Sequence, residues 1–311
     1  MSDRVVYLNG KFVAEADARV SIYDSAMVMG DAAFEVTRTF KHRPFRLRHH
    51  LERLAHSLTV LRIDLGMSLD ELERLTIETL AHNLPTEASD VDWNIIQNVS
   101  RGPARDFLSA FAAEERRSTV TISCFPLKHK LAALASAYET GVELVIPEQQ
   151  AIPTELLNAS IKTRSRMHYQ LATLQAAAKQ PGALAVMVDP DGYLTECTSA
   201  NVFLVKAGKI ATPELRNVLP GVTRGVILEL ANQLGIECRE QNLTSADAQR
   251  AEEIFITSTS IGVLHVRSFE GQQIENGRIG PDTQRLRDAL TAEVGIDIAA
   301  QARRYKQLLA D

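Results

Sequence analysis

Short apolar runs, each closed by residues that suit a tight turn, recur along this 311-residue chain and demand a fold built around sheets. The first run, Val5 to Val13, is split by Asn9-Gly10. Both residues tolerate positive φ, so the pair predicts a β-hairpin. Ala33 to Phe40, Trp93 to Ser100 and Thr119 to Phe125 read as further strands. Between them lies a helical pattern. Leu51, Leu54, Leu58 and Leu61 recur at intervals of three and four over Arg48 to Leu61. Ser68-Leu-Asp-Glu71 has the form of a capping box and opens a second helix through Leu80. The first part of the chain is therefore expected to be α+β, with helices on a mostly antiparallel sheet.

Phe125-Pro126 closes that part, and residues 127–138, with Lys128, His129 and Lys130, read as a connector. A new strand opens at Val142 to Ile146. Strands Ala183 to Val188, Ala200 to Val205 and Glu253 to Ser258 follow, with turns at Asp189-Pro-Asp-Gly192 and Ala207-Gly208. Helix Thr223 to Leu234 lies between Gly221 and Gly235, Phe269 to Ile274 reads as a hairpin, and one amphipathic helix is expected from Pro281 onward. The expected domains are 1–126, small and α+β, and 139–311, larger, joined by the connector 127–138.

Composition narrows the class. Hydrophobic residues make up 45% and charged residues 23%, enough for a substantial core. A net charge of -5 argues against general nucleic-acid binding, including by the basic stretch Lys41 to His50. Three cysteines, without a C-x-x-C pair, suit a reducing compartment. No signal-peptide core follows Met1, and no apolar run approaches the roughly 18 residues of a membrane span, so a cytoplasmic protein is expected. His49, His50 and His56 make no metal set, because adjacent helical histidines point about 100° apart.

Four segments carry the chemistry. Ile161-Lys162 supplies an amine ahead of a helix predicted over Met167 to Lys179, and Leu194-Thr-Glu196 ends a hairpin strand in a carboxylate. Leu219-Pro-Gly-Val-Thr-Arg224 forms a turn at a helix start, and Phe255-Ile-Thr-Ser-Thr-Ser260 brings hydroxyls. That is the set a pyridoxal 5'-phosphate (PLP) enzyme needs: a Schiff-base lysine, an acid facing the pyridinium nitrogen and donors for a phosphate. Only a neutral amine attacks a carbonyl, so such a lysine must have its pKa lowered. Gly221, Val222 and Thr223 lie where unpaired N–H groups and the helix dipole favour an anion, and Ser258 and Thr259 add donors. Leu219 would pack on the ring face.

The combined pattern resembles the fold type IV PLP enzymes, the family of branched-chain and D-amino acid aminotransferases and aminodeoxychorismate lyase. It spans nearly the whole chain, through Tyr7-Leu-Asn-Gly10, Gly30-Asp-Ala-Ala-Phe-Glu35, His50-Leu-Glu-Arg-Leu54, Ile161-Lys162, Thr195-Glu196, Asn201-Val-Phe203, Leu219 to Arg224 and Phe255 to Thr259. The resemblance implies a small α+β domain and a larger barrel-like α/β domain in a homodimer whose active site borrows a loop from the neighbour. It implies Lys162 as the Schiff base, Glu196 as the pyridinium partner, and Arg53, Val222, Thr223, Ser258 and Thr259 as phosphate ligands. The implied substrates are an amino donor and a 2-oxo acid.

The substrate residues are mixed. Phe34 and Arg38 resemble the branched-chain enzymes, which favours branched-chain L-amino acids with 2-oxoglutarate. Asn94 and Ile96 stand where those enzymes carry tyrosine and arginine, and Met167 stands where they place a tyrosine. Glu196 to Phe203 and Val-Ser-Arg-Gly102 resemble the D-amino acid enzymes, which trap the carboxylate with an arginine; Arg105 is the nearest candidate, with Phe107 where those enzymes have histidine. A D-amino acid aminotransferase, an (R)-selective amine transaminase and aminodeoxychorismate lyase are the alternatives.

Overall fold

The computed structural model describes residues 3–310, which divide into two compact units. The first comprises Met1–Leu127 with Ile161–Arg166, the second Lys128–Ser160 with Met167–Asp311. Residues 127–138 therefore do not stand apart as a connector, and Ile161–Arg166, expected in the large domain, belongs to the first unit.

The first unit contains β1 (Val5–Leu8), β2 (Lys11–Ala14), α1 (Ser25–Met29), β3 (Ala32–Phe40), β4 (Arg43–Pro44), α2 (Leu47–Leu61), α3 (Leu69–Asn83), β5 (Trp93–Ser100) and β6 (Thr119–Pro126). Its six strands form one sheet in the order β2-β1-β6-β5-β3-β4, paired antiparallel throughout. Asn9 and Gly10 both take positive φ, +48° and +94°, which makes the expected tight hairpin between β1 and β2. The Ser68 hydroxyl accepts the Glu71 N–H at 3.1 Å and starts α3.

One face of this sheet is closed by helices. The apolar stripe of α2, Leu47, Leu51, Leu54 and Leu58, packs with Leu72, Leu75 and Leu80 of α3 against Tyr7, Trp93, Ile95, Val99 and Ile122. Truncating any of the fully buried leucines to alanine would cost about 2–5 kcal/mol. Asn83 fastens the end of α3 to β1, donating to Val5 O and accepting from Val5 N, both at 2.9 Å.

The second unit begins with α4 (Lys128–Ala133) and α5 (Ala137–Thr140), then β7 (Val142–Val145), α6 (Met167–Lys179), β8 (Leu184–Val188), β9 (Leu194–Cys197), β10 (Asn201–Lys206) and β11 (Lys209–Thr212). After these come α7 (Val222–Gln233), β12 (Cys238–Glu240), α8 (Ser245–Gln249), β13 (Glu253–Ser258), β14 (Gly262–Phe269), β15 (Gln272–Gln273), α9 (Pro281–Val294) and α10 (Ile298–Leu308). The strands run β12-β11-β10-β13-β14-β7-β8-β9, with β15 on β14. Cys197 N–H donates to Ala200 O at 2.8 Å, so β9 meets β10 and the sheet curls into the barrel-like form. Phe203 and Phe255, neighbours on β10 and β13, are fully buried and stack with centroids 4.7 Å apart.

Two segments differ from the sequence reading. The run expected as a connector is largely helical because Leu131 and Tyr138 are buried, and the Tyr138 hydroxyl donates to Ile261 O at 2.8 Å. The helix expected from Pro281 is two helices. Gly295 turns the chain with φ +68°, and the Asp297 carboxylate accepts from Ala299 and Ala300 to start α10. Among the described residues no helix is long and apolar enough to cross a membrane.

Candidate active site

Lys162 lies on a segment that extends the first unit's sheet. Thr163 bridges Ala33 on β3, Phe34 N–H donates to Lys162 O at 2.9 Å, and Arg164 N–H donates to Ala32 O at 2.8 Å. Antiparallel register therefore sets Lys162 and Arg164 on the same sheet face as Phe34. Lys162 Nζ stands 4.9 Å from the centroid of the Phe34 ring. On its other side, the Lys162 N–H donates to Ser57 Oγ at 3.1 Å, and that hydroxyl donates to Arg53 O at 3.0 Å. The backbone of the lysine is thus pinned to both β3 and α2.

Arg53, one turn before Ser57, is held by Glu35. Its Nε and Nη2 donate to the two carboxylate oxygens at 2.7 and 2.8 Å, and His50 Nδ1 lies 2.9 Å from Glu35 Oε2. Glu35 is 0% exposed and Arg53 9%. Burial alone would raise the Glu35 carboxyl, but the Arg53 guanidinium and the His50 and Arg53 hydrogen bonds outweigh it and hold it at about 2. Burial pushes His50 down, so the imidazole is neutral and donates through Nδ1.

In the second unit, Glu196 stands one residue before the end of β9 with only 8% of its surface exposed. It accepts from the Tyr169 hydroxyl at 2.8 Å, from Asn201 Nδ2 at 3.1 Å and from Leu219 N at 3.3 Å. Asn201 also donates to Leu219 O at 3.1 Å and stands opposite Thr257, the residue before Ser258. Three separate stretches, β9, the 219–221 turn and β13, therefore converge on Asn201. A Cβ at Gly221 would fall 2.0 Å from Asn201 Oδ1, so only glycine leaves that amide in place. Gly221 is the N-cap of α7, which starts at Val222 and Thr223, and the first turn receives no side-chain cap from it. Ser258 lines a cavity of about 350 Å³ together with Thr198, Ser199 and Arg267, and Thr259 follows it in the turn between β13 and β14.

The remaining sequence candidates fall in different surroundings. Arg38 shares the Phe34 face of β3 but is 1% exposed, with Nε donating to Thr39 O at 3.3 Å and its guanidinium over the Phe40 ring at 4.1 Å. Asn94 and Ile96 are on that face too, opposite Arg38 and Val36. Arg105 is exposed, at the start of the 3₁₀ turn Arg105–Ala110, and Phe107 stacks on Tyr23 at 4.7 Å. Met167 is exposed at the first turn of α6. Sequence reasoning assigned no role to Tyr169, Asn201, Ser57 or Arg164. Tyr169 follows Met167 by half a helical turn, and its contact with Glu196 joins stretches too distant for sequence spacing to reveal.

The match to the family model for class IV aminotransferases covers residues 32–269, and the chain belongs to that family. Members of the class use PLP, and the chain is a PLP-dependent aminotransferase acting between an amino acid and a 2-oxo acid. A Methanocaldococcus jannaschii protein assigned provisionally as a branched-chain-amino-acid aminotransferase is 32% identical, over 91% of this chain and 94% of its own length. The D-alanine aminotransferase of Listeria monocytogenes is 29% identical over 93% and 96%. Among solved structures, the Escherichia coli branched-chain amino acid aminotransferase superposes with TM-score 0.84 at 28% identity, covering 93% of this chain and 94% of that one.

Proposed function

We propose that this aminotransferase takes branched-chain L-amino acids as donors and 2-oxoglutarate as acceptor, and works in the cytoplasm as a homodimer. Likeness to branched-chain enzymes supports the substrate class. So does the Phe34 face of the first unit's sheet, where Val36 and Ile96 stand opposite each other and suit a branched aliphatic side chain. The dimer is supported by a cluster of exposed apolar residues around α1, with Ile22 70% and Met27 68% exposed beside Val28 and Met29. Such a patch is the usual mark of an interface. Three free cysteines suit a reducing compartment.

The observation that carries the cofactor assignment is the Glu196 carboxylate, buried yet held by three donors. Glu196 would face the pyridine nitrogen and hold its proton. Val222 and Thr223 at the start of α7, with Ser258, Thr259 and Arg53, would hold the phosphate, and Leu219 would pack against the ring. The close fit of Gly221 on Asn201 keeps that helix start clear of side chains. When bound, PLP supplies an electron sink for the charge that develops at the substrate Cα. Lys162 would anchor the cofactor and, as a neutral amine, move the proton at that Cα.

Mixing the PLP-loaded protein with single donors tests this reading. L-leucine should shift the visible band of the cofactor, and borohydride should fix the cofactor to Lys162. Conversion by D-alanine but not L-leucine would overturn the substrate class. Labelling of another lysine would overturn the assignment of Lys162.

A further inference from the structure

Three cations surround one aromatic ring on the first unit's sheet. Measured to the Phe34 centroid, Lys162 Nζ stands at 4.9 Å, the Arg164 guanidinium at 3.7 Å and the Arg166 guanidinium at 5.9 Å. Arg164 is exposed, and among the described residues its side-chain hydrogen bonds go to a neutral oxygen: Nε donates to Asn98 Oδ1 at 2.8 Å and Nη2 to the same atom. Asn98 is itself oriented, because its Nδ2 donates to Thr121 Oγ1 at 3.1 Å. The guanidinium is therefore stacked on Phe34 and aimed by the Thr121–Asn98 pair, while its charge meets no carboxylate there. Partial burial of the guanidinium against Phe34 and the nearby Arg166 both lower Arg164 from its ordinary value.

We infer that Arg164 receives the α-carboxylate common to the amino acid and the 2-oxo acid. This rests on the reading of Lys162 as the reacting amine. Residues two apart on an extended segment lie about 6.6 Å apart on one face, so Arg164 is the guanidinium that the register sets nearest to Lys162 along that strand. A substrate whose Cα is worked on by Lys162 carries its carboxylate one bond away from that carbon, within reach of an arginine side chain. Arg38, enclosed at 1% exposure, offers no comparable open guanidinium.

The test uses the PLP-loaded wild type, Arg164→Met and Arg164→Lys, with 4-methylpentanoate as a carboxylate that mimics the leucine skeleton and its amide as the uncharged control. Calorimetry should give about 10- to 100-fold weaker carboxylate binding in Arg164→Met, the range of a hydrogen bond to a charged group. Amide binding and the cofactor absorption should be unchanged, and Arg164→Lys should recover part of the loss. In turnover with L-leucine the defect should appear chiefly in KM. Carboxylate binding within twofold of wild type, or an equal loss for the amide, would overturn the inference. A defect with glutamate but not leucine would also overturn it, since the contact would then be to a side-chain carboxylate. Failure of the wild type to convert any amino donor would instead strike the functional reading and take this inference with it, and it is seen before any variant is made.

Discussion

Glu35→Gln should destabilise the first unit by about 3–5 kcal/mol at neutral pH, the cost of removing one partner from a buried ion pair. The carboxylate is fully enclosed and grips Arg53 through two bonds of 2.7 and 2.8 Å, so the amide would leave a guanidinium of 9% exposure without its countercharge. Protonation gives a second route to the magnitude. A carboxyl held at about 2 instead of 4.5 is worth about 3 kcal/mol of stability at pH 7. Because the folded value is the lower one, that contribution is complete above about pH 4.5 and is lost as the pH falls toward about 2. Trp93 is the sole tryptophan and is buried in the first unit's core, so its fluorescence during urea unfolding reports this unit. Wild type should lose about 3 kcal/mol more than Glu35→Gln between pH 5 and pH 2. The double variant Glu35→Gln/Arg53→Met should be less destabilised than the sum of the two single changes. A Glu35→Gln protein within about 1 kcal/mol of wild type at pH 7, or one with the wild-type acid profile, would refute the reasoning.

Three further outcomes are expected. Glu196→Gln should retain PLP by absorbance yet slow single-turnover conversion by about 100-fold or more, since removing a preorganised electrostatic partner acts on the rate. Gly221→Ala should lower PLP affinity in equilibrium dialysis by about tenfold, roughly the 1–3 kcal/mol of an amide deprived of its hydrogen bonds, because the new methyl would sit 2.0 Å from Asn201 Oδ1. Paired Ile22→Asp and Met27→Asp substitutions should shift the protein toward a monomer in sedimentation velocity while Trp93 stays buried.

Most elements are legible because local chemistry decides them. Asn9-Gly10, the leucine stripe of α2 and the Ser68 cap each act within a few residues. The helices at 128–140 are hidden behind Lys128, His129 and Lys130, since charge on an exposed face masks a buried stripe as short as Leu131 and Tyr138. Gly295 reads as part of a helix because a single glycine does not announce whether it will take positive φ. The candidate site is proposed from residue type and order, at Lys162, Glu196, Thr223 and Ser258, and type and order do not announce the partners that hold those residues. Ser57, Tyr169 and Asn201 act through contacts set by register and helix phase between distant stretches. Arg164 becomes visible only once the 161–166 segment is paired with β3.

That pairing has a consequence for how the protein is made. During synthesis the stretch up to Leu127 emerges first, with the start of β3 paired to β5 on one edge and bare on the other. Its missing neighbour, Lys162 to Arg164, lies about 130 residues further on than Ala33 and leaves the ribosome only after β7. Contacts of such long separation form slowly, because the intervening chain must first be brought to order. Until then the start of β3, Ala32 to Phe34, has backbone groups that lack the partners the 162–164 segment supplies, and unpaired strand edges of this kind favour pairing with other chains. Lys162 is thus seated among the last of the first unit's parts, after most of the sheet that receives it already exists.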